Sequence, residues 1–212
     1  MKISTLILCY NASDTIERAI LGALSQQIDC DHEIILSDDA STDRTQSIIR
    51  YYADRYPSLI IPILRPTNLG PQKNLLSALS HITGDFVAIC DGDDYWISHT
   101  KLQSQLNCLL LDPLCDLVYT DTHIYDKDKD KWFTNVFQTG TLQRPVNSQS
   151  HLLGKGFLAP STWLFRRNVL SLLNYSNKQG YIDGTFYVIL YLLEHSKIQY
   201  LDLVTGVYTK HS

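Results

Sequence analysis

The chain has 212 residues, of which 44% are hydrophobic and 19% charged, so it can form one ordinary domain with a sizeable core and is too apolar for a disordered protein. Lysine and arginine number 18 against 22 aspartates and glutamates, and the net charge of −4 argues against a nucleic-acid-binding protein that works through bulk basic charge. An anionic ligand held by a metal ion or by a few local cations is not excluded.

The cysteines and the apolar runs indicate the compartment. Five cysteines form no Cys-X-X-Cys pair, and Cys9 and Cys90 lie in apolar runs, where cysteine behaves as a small hydrophobe. We expect neither a disulfide framework nor a zinc site. No signal-peptide pattern opens the chain, and no apolar run is long enough to span a membrane. These features predict a cytoplasmic protein, either free or peripheral at the inner membrane face.

The first half of the chain alternates strands with helices. Short apolar runs predict strands at 3–9, 34–36, 59–64 and 86–90. Helical spacing of apolar residues follows each of them, over about 16–24, 45–52, 71–81 and 101–111. Ser13 is the expected N-cap of the first helix. Four such alternations predict βαβ units, a parallel sheet and right-handed crossovers.

The rhythm changes after Pro113. Residues 117–125 and 132–137 flank a run of alternating charges, Asp126–Lys131, and predict an antiparallel hairpin whose turn is a solvated loop on composition alone. A loop over 140–150 and a strand near 161–166 come next. The pattern then predicts a helix over 186–194 and a last apolar segment over 198–208.

Polar side chains follow three of the four predicted parallel strands, at the edge where an open α/β sheet binds its ligands. Tyr10 follows the first strand, Asp38 and Asp39 end the second, and the run Asp91–Asp94 ends the fourth. Clustered carboxylates repel one another unless a cation or ligand donors neutralise them, and their oxygens suit Mg²⁺ or Mn²⁺. Each acidic pair can instead cap the helix that follows, although a single cap needs only one carboxylate.

Four stretches of the first half, in order and at the expected spacing, resemble family-2 glycosyltransferases of the GT-A fold. They are LCYN (8–11), EIILSDDASTD (33–43), NLG (68–70) with Lys73-Asn74, and GDFVAICDGDD (84–94). The resemblance implies an α/β fold with a Rossmann-like, mostly parallel central sheet flanked by helices and a smaller antiparallel region on the acceptor side. It also implies one glycosyltransferase domain over 1–212, with a nucleotide-sugar-binding half at 1–112 and an acceptor-side half at 113–212.

The resemblance also implies roles for individual residues. Tyr10 would lie against the nucleotide base. Asp39, next to Asp38, would bond the edge of that base. Lys73 would lie near the base or the diphosphate. The Asp-X-Asp motif, formed by Asp91, Gly92 and Asp93, would serve the ribose and a Mn²⁺ or Mg²⁺ ion. Simpler readings stay open, namely strand-end packing for Tyr10 and a solvated surface position for Lys73.

The final residues resemble the closing motif of the family. His211 in Tyr208-Thr209-Lys210-His211 would face the diphosphate or the metal held by Asp93, although the usual arginine is Thr209 here. A terminal histidine without a ligand role is the simpler reading.

The implied reaction is inverting transfer of a sugar from a nucleotide-diphosphate donor, with a UDP-sugar favoured, to a hydroxyl of a glycan or lipid-linked acceptor in polysaccharide or glycoconjugate biosynthesis. Inversion needs a base on the acceptor side. The family supplies it from an acidic pair that opens a late helix, and here only Asp183 matches. Glu194 and Asp202 are the other second-half carboxylates after residue 134, and Asp183 can also act as a helix N-cap.

Two alternative functions stay open. A sugar nucleotidyltransferase would need a glycine-rich phosphate loop after the first strand, where this chain has CYNAS at 9–13. A non-catalytic module that binds nucleotide sugars is compatible with the single acid at Asp183.

Overall fold

The computed structural model describes residues 1–145, 147–148, 150, 158–178 and 184–211. The described helices are α1 (Ile16–Leu24), α2 (Thr45–Arg55), α3 (Pro71–Leu79), α4 (Lys101–Leu111), α5 (Leu170–Lys178) and α6 (Gly184–His195). The described strands are β1 (Lys2–Cys9), β2 (Asp31–Asp38), β3 (Ile60–Leu64), β4 (Phe86–Asp91), β5 (Tyr95–Trp96), β6 (Cys115–Asp126), β7 (Lys131–Phe133), β8 (Trp163–Arg166) and β9 (Lys197–Lys210).

In the described part of the chain, these strands form one mixed sheet in the order β3-β2-β1-β4-β8-β6-β9-β5, with β7 paired to β6. Strand β1 runs parallel to β2 and β4, and β2 runs parallel to β3, as the first half of the sequence predicts. Strand β8 is antiparallel to both β4 and β6, so the second half continues the same sheet. The predicted α/β fold class is confirmed.

Strand direction decides which chain segments meet at the binding edge. Because β8 is antiparallel to both of its neighbours, β4 and β6 point the same way, and β9 runs parallel to β6. The carboxyl ends of β1, β2, β4, β6 and β9 therefore lie at one edge of the sheet. The parallel pairing of β6 with β9 was not expected from the sequence.

Helices cover both faces of the sheet. Alternate residues of β1 point to opposite faces, so Ile3 and Ile7 pack against α1, α2 and α4, while Leu6 packs against α3, α5 and α6. These side chains are fully buried, and each contributes roughly 1.5–3 kcal/mol of burial free energy. Two apolar layers therefore hold the sheet rigid beneath its binding edge.

Most predicted elements are confirmed within a few residues, and α4 matches its predicted bounds. The hairpin of β6 and β7 is present, with Ile124 opposite Phe133. The short strand β5 and helix α5 were not expected. The Ser13 prediction is wrong, since α1 begins at Ile16 without a side-chain cap and the Ser13 N–H donates to Asp43 Oδ2 at 3.0 Å.

Two further expectations concern thiols and membranes. All five cysteines carry free thiols. Among the helices that the structure describes, none has the length and apolar character needed to cross a bilayer.

Candidate functional site

Two neighbouring cavities open at the carboxyl edge of the sheet. The first, the Asp39 cavity, has a volume of about 370 Å³ and is lined by Leu8, Cys9, Tyr10, Asp39, Asn68, Gly70, Pro71, Asn74 and Asp91. The second, the Asp93 cavity, has a volume of about 430 Å³ and is lined by Leu8, Cys9, Tyr10, Asn11, Ala12, Asp14, Thr15, Pro71, Gly92, Asp93, Lys127 and His211. Tyr10 lines both cavities and is 51% exposed, so its ring is available to a ligand.

Asp39 is held by the loop that precedes α3. Its Oδ1 accepts the Leu69 N–H and its Oδ2 accepts the Gly70 N–H, both at 2.8 Å. The amide of Asn68 donates to the Asp39 carbonyl at 3.1 Å. A carboxylate has about four acceptor positions, so two of them stay free for a donor on a ligand. The aspartate thus fixes one wall of its cavity and can still accept a hydrogen bond there.

Asp38 is fully buried and lines neither cavity. Its carboxylate accepts hydrogen bonds from the Ser41 N–H at 3.0 Å, from the Ser41 hydroxyl, and from Gln46 Nε2 at 2.7 Å. These contacts organise the loop that leads into α2. The structure therefore shows Asp38 stabilising this loop and does not bring its side chain to either cavity.

Lys73 also lines neither cavity, although Pro71 and Asn74 of the same helix line the Asp39 cavity. It lies on the first turn of α3 and is exposed to solvent.

The loop between β1 and α1 has few free donors for a phosphate. The backbone N–H groups of Asn11, Ala12 and Ser13 donate to side-chain oxygens of the β2–α2 loop and of the first residue of α2 at 2.8–3.0 Å. A nucleotidyltransferase phosphate loop needs such groups to face its ligand. Their engagement here argues against that alternative.

Gly92 of the Asp-X-Asp motif is required for packing. A Cβ atom at this position would lie 2.7 Å from Cys9 Cβ and 3.1 Å from the Leu8 carbonyl oxygen. The Gly92 N–H donates to the same Leu8 carbonyl at 2.7 Å. The glycine lets the motif lie directly against β1, which brings Asp91 and Asp93 to the rim of the two cavities.

Three aspartates crowd this loop, and two of them, Asp91 and Asp94, have a raised pKa. Burial and the neighbouring Asp93 raise the pKa of Asp91 above its ordinary value. Burial and Asp91 raise the pKa of Asp94, whose Oδ1 accepts the Thr209 N–H at 2.8 Å. Such mutual repulsion favours a site that attracts a cation.

His211 and Asp93 come together although they are 118 positions apart in the sequence. His211 Nε2 lies 2.8 Å from Asp93 Oδ2, and the Thr209 hydroxyl donates to the Asp93 carbonyl at 2.7 Å. Within the described ranges, no group of three or more histidine, cysteine, aspartate or glutamate side chains is placed to hold a metal ion. Two protein donors fit a Mg²⁺ or Mn²⁺ ion that shares its coordination sphere with substrate phosphates and water.

Sequence reasoning missed Lys127. The charged turn was expected to be a solvated loop, and the structure places this lysine in the Asp93 cavity beside His211. Only the pairing of β6 with β9 brings the two residues together, and no local sequence signal reports that pairing.

The predicted base, Asp183, lies outside the described residues, and the helix that follows it begins at Gly184. Of the other second-half carboxylates, Glu194 is exposed near the end of α6. Asp202 accepts hydrogen bonds from Gln138 Nε2 and the Tyr200 hydroxyl, both at 2.9 Å, which lower the pKa of its carboxyl. These contacts tie Asp202 to the surface of the second half.

Residues 4–173, more than half of the chain, match the family described as Glycosyl transferase family 2. The chain belongs to glycosyl transferase family 2. Over 137 residues this glycosyltransferase is 34% identical to the UDP-Glc:alpha-D-GlcNAc-diphosphoundecaprenol beta-1,3-glucosyltransferase WfaP of Escherichia coli, a match that covers 65% of this chain and 51% of the relative. The chain spans about half the length of the first curated relatives that it matches.

Two solved structures share the fold of this glycosyltransferase. TarS residues 1–349 of S. aureus, in complex with UDP, gives a TM-score of 0.73 at 21% identity over 99% of this chain and 61% of that one. The mannosyltransferase PcManGT of Pyrobaculum calidifontis, in complex with GDP-Man and Mn²⁺, gives 0.67 at 20% identity over 97% and 56%. At these identities the likeness shows the GT-A-type fold alone.

Proposed function

We propose that this glycosyltransferase moves a sugar from a UDP-sugar to a hydroxyl of a glycan or lipid-linked acceptor, with inversion at the anomeric carbon and with a divalent cation. One observation carries the proposal: the Asp39 cavity meets the Asp93 cavity at the exposed ring of Tyr10. A flat, uncharged base suits the first cavity, and an anionic diphosphate with its cation suits the second.

The Asp39 cavity suits a pyrimidine base. The Tyr10 ring offers a stacking surface, and a free acceptor position of Asp39 suits the imide N–H of uracil. TarS, which shares the fold, is described in complex with UDP, and this supports uridine over other bases. The GDP-Man of PcManGT makes guanosine the competing donor to test.

The Asp93 cavity suits the diphosphate. Asp93 and His211 would hold Mn²⁺ or Mg²⁺, which supplies positive charge where the leaving diphosphate becomes more negative. We assign the ribose hydroxyls to Asp91, which lines the neighbouring cavity. The acceptor class draws support from WfaP, whose description names a diphosphoundecaprenol-linked sugar.

Asp183 is our candidate for the base. Inversion requires the acceptor oxygen to attack from the face opposite the diphosphate, so that the bond between sugar and phosphate breaks and its electron pair leaves with the diphosphate. The acceptor proton then passes to a carboxylate. A position just before the start of α6 favours the ionised form of that carboxylate.

The test is titration of the full chain with UDP, GDP and uridine in Mn²⁺. We expect UDP to bind best, and Asp39→Ala to weaken both UDP and uridine by more than about tenfold, or about 1.4 kcal/mol. Because Asp39 also holds its loop, Asn68→Ala is the matched control: it loosens the same loop and leaves the carboxylate in place.

Unchanged uridine affinity in Asp39→Ala would remove this aspartate from the base site. Tighter binding of GDP than of UDP would overturn the choice of donor. Binding of UDP-sugar without release of UDP in the presence of acceptor extracts would favour a non-catalytic module.

A further inference from the structure

We propose that Lys127 binds the diphosphate of the donor, an inference that rests on the proposed function. In the sequence this lysine is one of three in the alternating run Asp126–Lys131. The structure distinguishes it, because of these three lysines it alone lines the Asp93 cavity, together with Asp93 and His211. The inference adds a cation from the second half of the chain to a site that the sequence assigned to the first half and the final residues.

Two aspartates of the turn already have partners other than Lys127. Asp126 is buried, and its Oδ2 lies 3.5 Å from Lys129 Nζ. Asp130 accepts a hydrogen bond from the Tyr125 hydroxyl at 2.9 Å. Lys127 is exposed and forms no ion pair with any residue in the part of the chain that the structure describes. Its ammonium group is therefore available to an anion in the cavity.

The backbone holds Lys127 at the wall of the cavity. Its N–H donates to the Lys210 carbonyl at 3.0 Å, directly before His211. One residue earlier, the Thr209 hydroxyl donates to the Asp93 carbonyl at 2.7 Å. The hairpin turn, the end of β9 and the Asp-X-Asp loop are thus joined by hydrogen bonds, and the position of Lys127 follows from that of the proposed metal donors.

The charges of the cavity give this lysine its role. Asp14 and Asp93 line the cavity and Asp91 lines its neighbour, so the walls repel an anion. A nucleoside diphosphate carries roughly two to three negative charges near neutral pH, because its terminal phosphate titrates near pH 6. One divalent ion beside several carboxylates leaves this charge incompletely offset. An ammonium group next to the departing diphosphate stabilises the charge that develops during transfer.

The test compares UDP with uridine in calorimetric titrations of the full chain with Mn²⁺. We expect Lys127→Ala to weaken UDP about tenfold, equivalent to about 1.4 kcal/mol, and to leave uridine unchanged. Lys127→Arg should restore most of the UDP affinity. Lys129→Ala is the matched control: it removes a lysine from the same turn, but Lys129 pairs with Asp126 and does not line the cavity.

Equal UDP affinity in Lys127→Ala and Lys129→Ala would overturn the inference. An equal loss of UDP and uridine would also overturn it, since that pattern indicates a structural effect on the whole site. If the proposed function fails, the result is different, because the unmodified protein then does not bind UDP. That result would overturn both the proposed function and the inference about Lys127.

Discussion

The two cavities at the sheet edge are built in different ways. The Asp39 cavity takes its walls from the turns after β1 and β2 and from the loop before α3, and two backbone N–H groups hold its aspartate. The Asp93 cavity is closed by segments far apart in sequence, the loop after β4, the turn after β6 and the end of β9. Its His211 side chain is 52% exposed.

This difference indicates how each cavity meets a ligand. The Asp39 cavity is preorganised, because its central carboxylate is already fixed, and less ordering is needed when a base enters. In the Asp93 cavity, Asp93 and His211 contact each other, and their further partners must come from a cation and an anion. Substitutions on the two sides should therefore differ in whether their effects depend on metal.

The largest effect should come from the acceptor side, where neither cavity is changed. Asp183→Asn should lower turnover by about a hundredfold or more, because the variant cannot accept the acceptor's proton. UDP-sugar affinity should stay within about twofold, since the donor is proposed to lie in the two cavities. Steady-state rates with acceptor, together with donor titrations, measure both quantities.

Asp202→Asn is the control for the base, since it removes a second-half carboxylate that is held at the surface by Gln138 and Tyr200. Wild-type turnover in Asp183→Asn would show that another group is the base. A loss of donor affinity in that variant would place Asp183 in donor binding instead.

The next largest effect should be metal-dependent and confined to the Asp93 cavity. Asp93→Asn keeps the side-chain shape but removes the charge that a hard cation requires, so UDP affinity in Mn²⁺ should fall about thirtyfold, or about 2 kcal/mol. Uridine affinity should not change. Titrations with Mn²⁺ and with EDTA check this, and circular dichroism checks the fold.

Asp14→Asn is the matched control, because it removes an exposed carboxylate from the wall of the same cavity. The idea of a metal-binding cavity fails if Asp93→Asn gains as much UDP affinity from Mn²⁺ as the unmodified protein does. It also fails if the unmodified protein binds UDP equally well in EDTA.

The smallest effect on binding should come from Asp38, although it precedes Asp39 directly. Asp38→Asn places an amide donor among the donors of Ser41 and Gln46, so the free energy of unfolding should fall by about 1–3 kcal/mol. UDP and uridine affinities of the folded protein should be unchanged. Urea unfolding and titration calorimetry measure the two effects.

Ser41→Ala, which removes one donor to the same carboxylate, should give a smaller loss of stability with the same unaltered binding. If fully folded Asp38→Asn bound uridine tenfold more weakly, Asp38 would be part of the binding site.

Local sequence signals were sufficient to predict much of the Asp39 cavity. Apolar runs that end in Tyr10 and Asp39 predict strand ends, and parallel strands bring those ends to one edge. The same signals could not separate Asp38 from Asp39. Asp38 is the last residue of β2 and Asp39 lies just beyond it, so the contacts of the following loops decide which carboxylate meets the cavity.

The second cavity was harder to predict because its contacts are long-range. Gly92 and Asp93 were found as part of a short motif, yet the packing of Gly92 against Cys9 depends on the pairing of β1 with β4. Lys127 was not predicted as a site residue because the alternating charges of its turn are typical of a solvated loop. The position of Lys127 depends on the pairing of β6 with β9, in which the paired residues are about 80 positions apart in the sequence. A contact between residues so far apart leaves no local pattern in the sequence.

The pairing of β9 between β6 and β5 also sets an order for assembly. Strands β1 to β4 precede residue 92, so most of the Asp39 cavity rests on contacts that a growing chain can make early. The Asp93 cavity needs β9, which begins more than 100 residues after the end of β4, and closing so long a loop is slow. We expect amide protons of β1 and β2 to gain protection before those of β9 in pulse-labelled refolding. A partly folded molecule would then bind a nucleobase in the Asp39 cavity before it could bind the diphosphate of the donor in the Asp93 cavity.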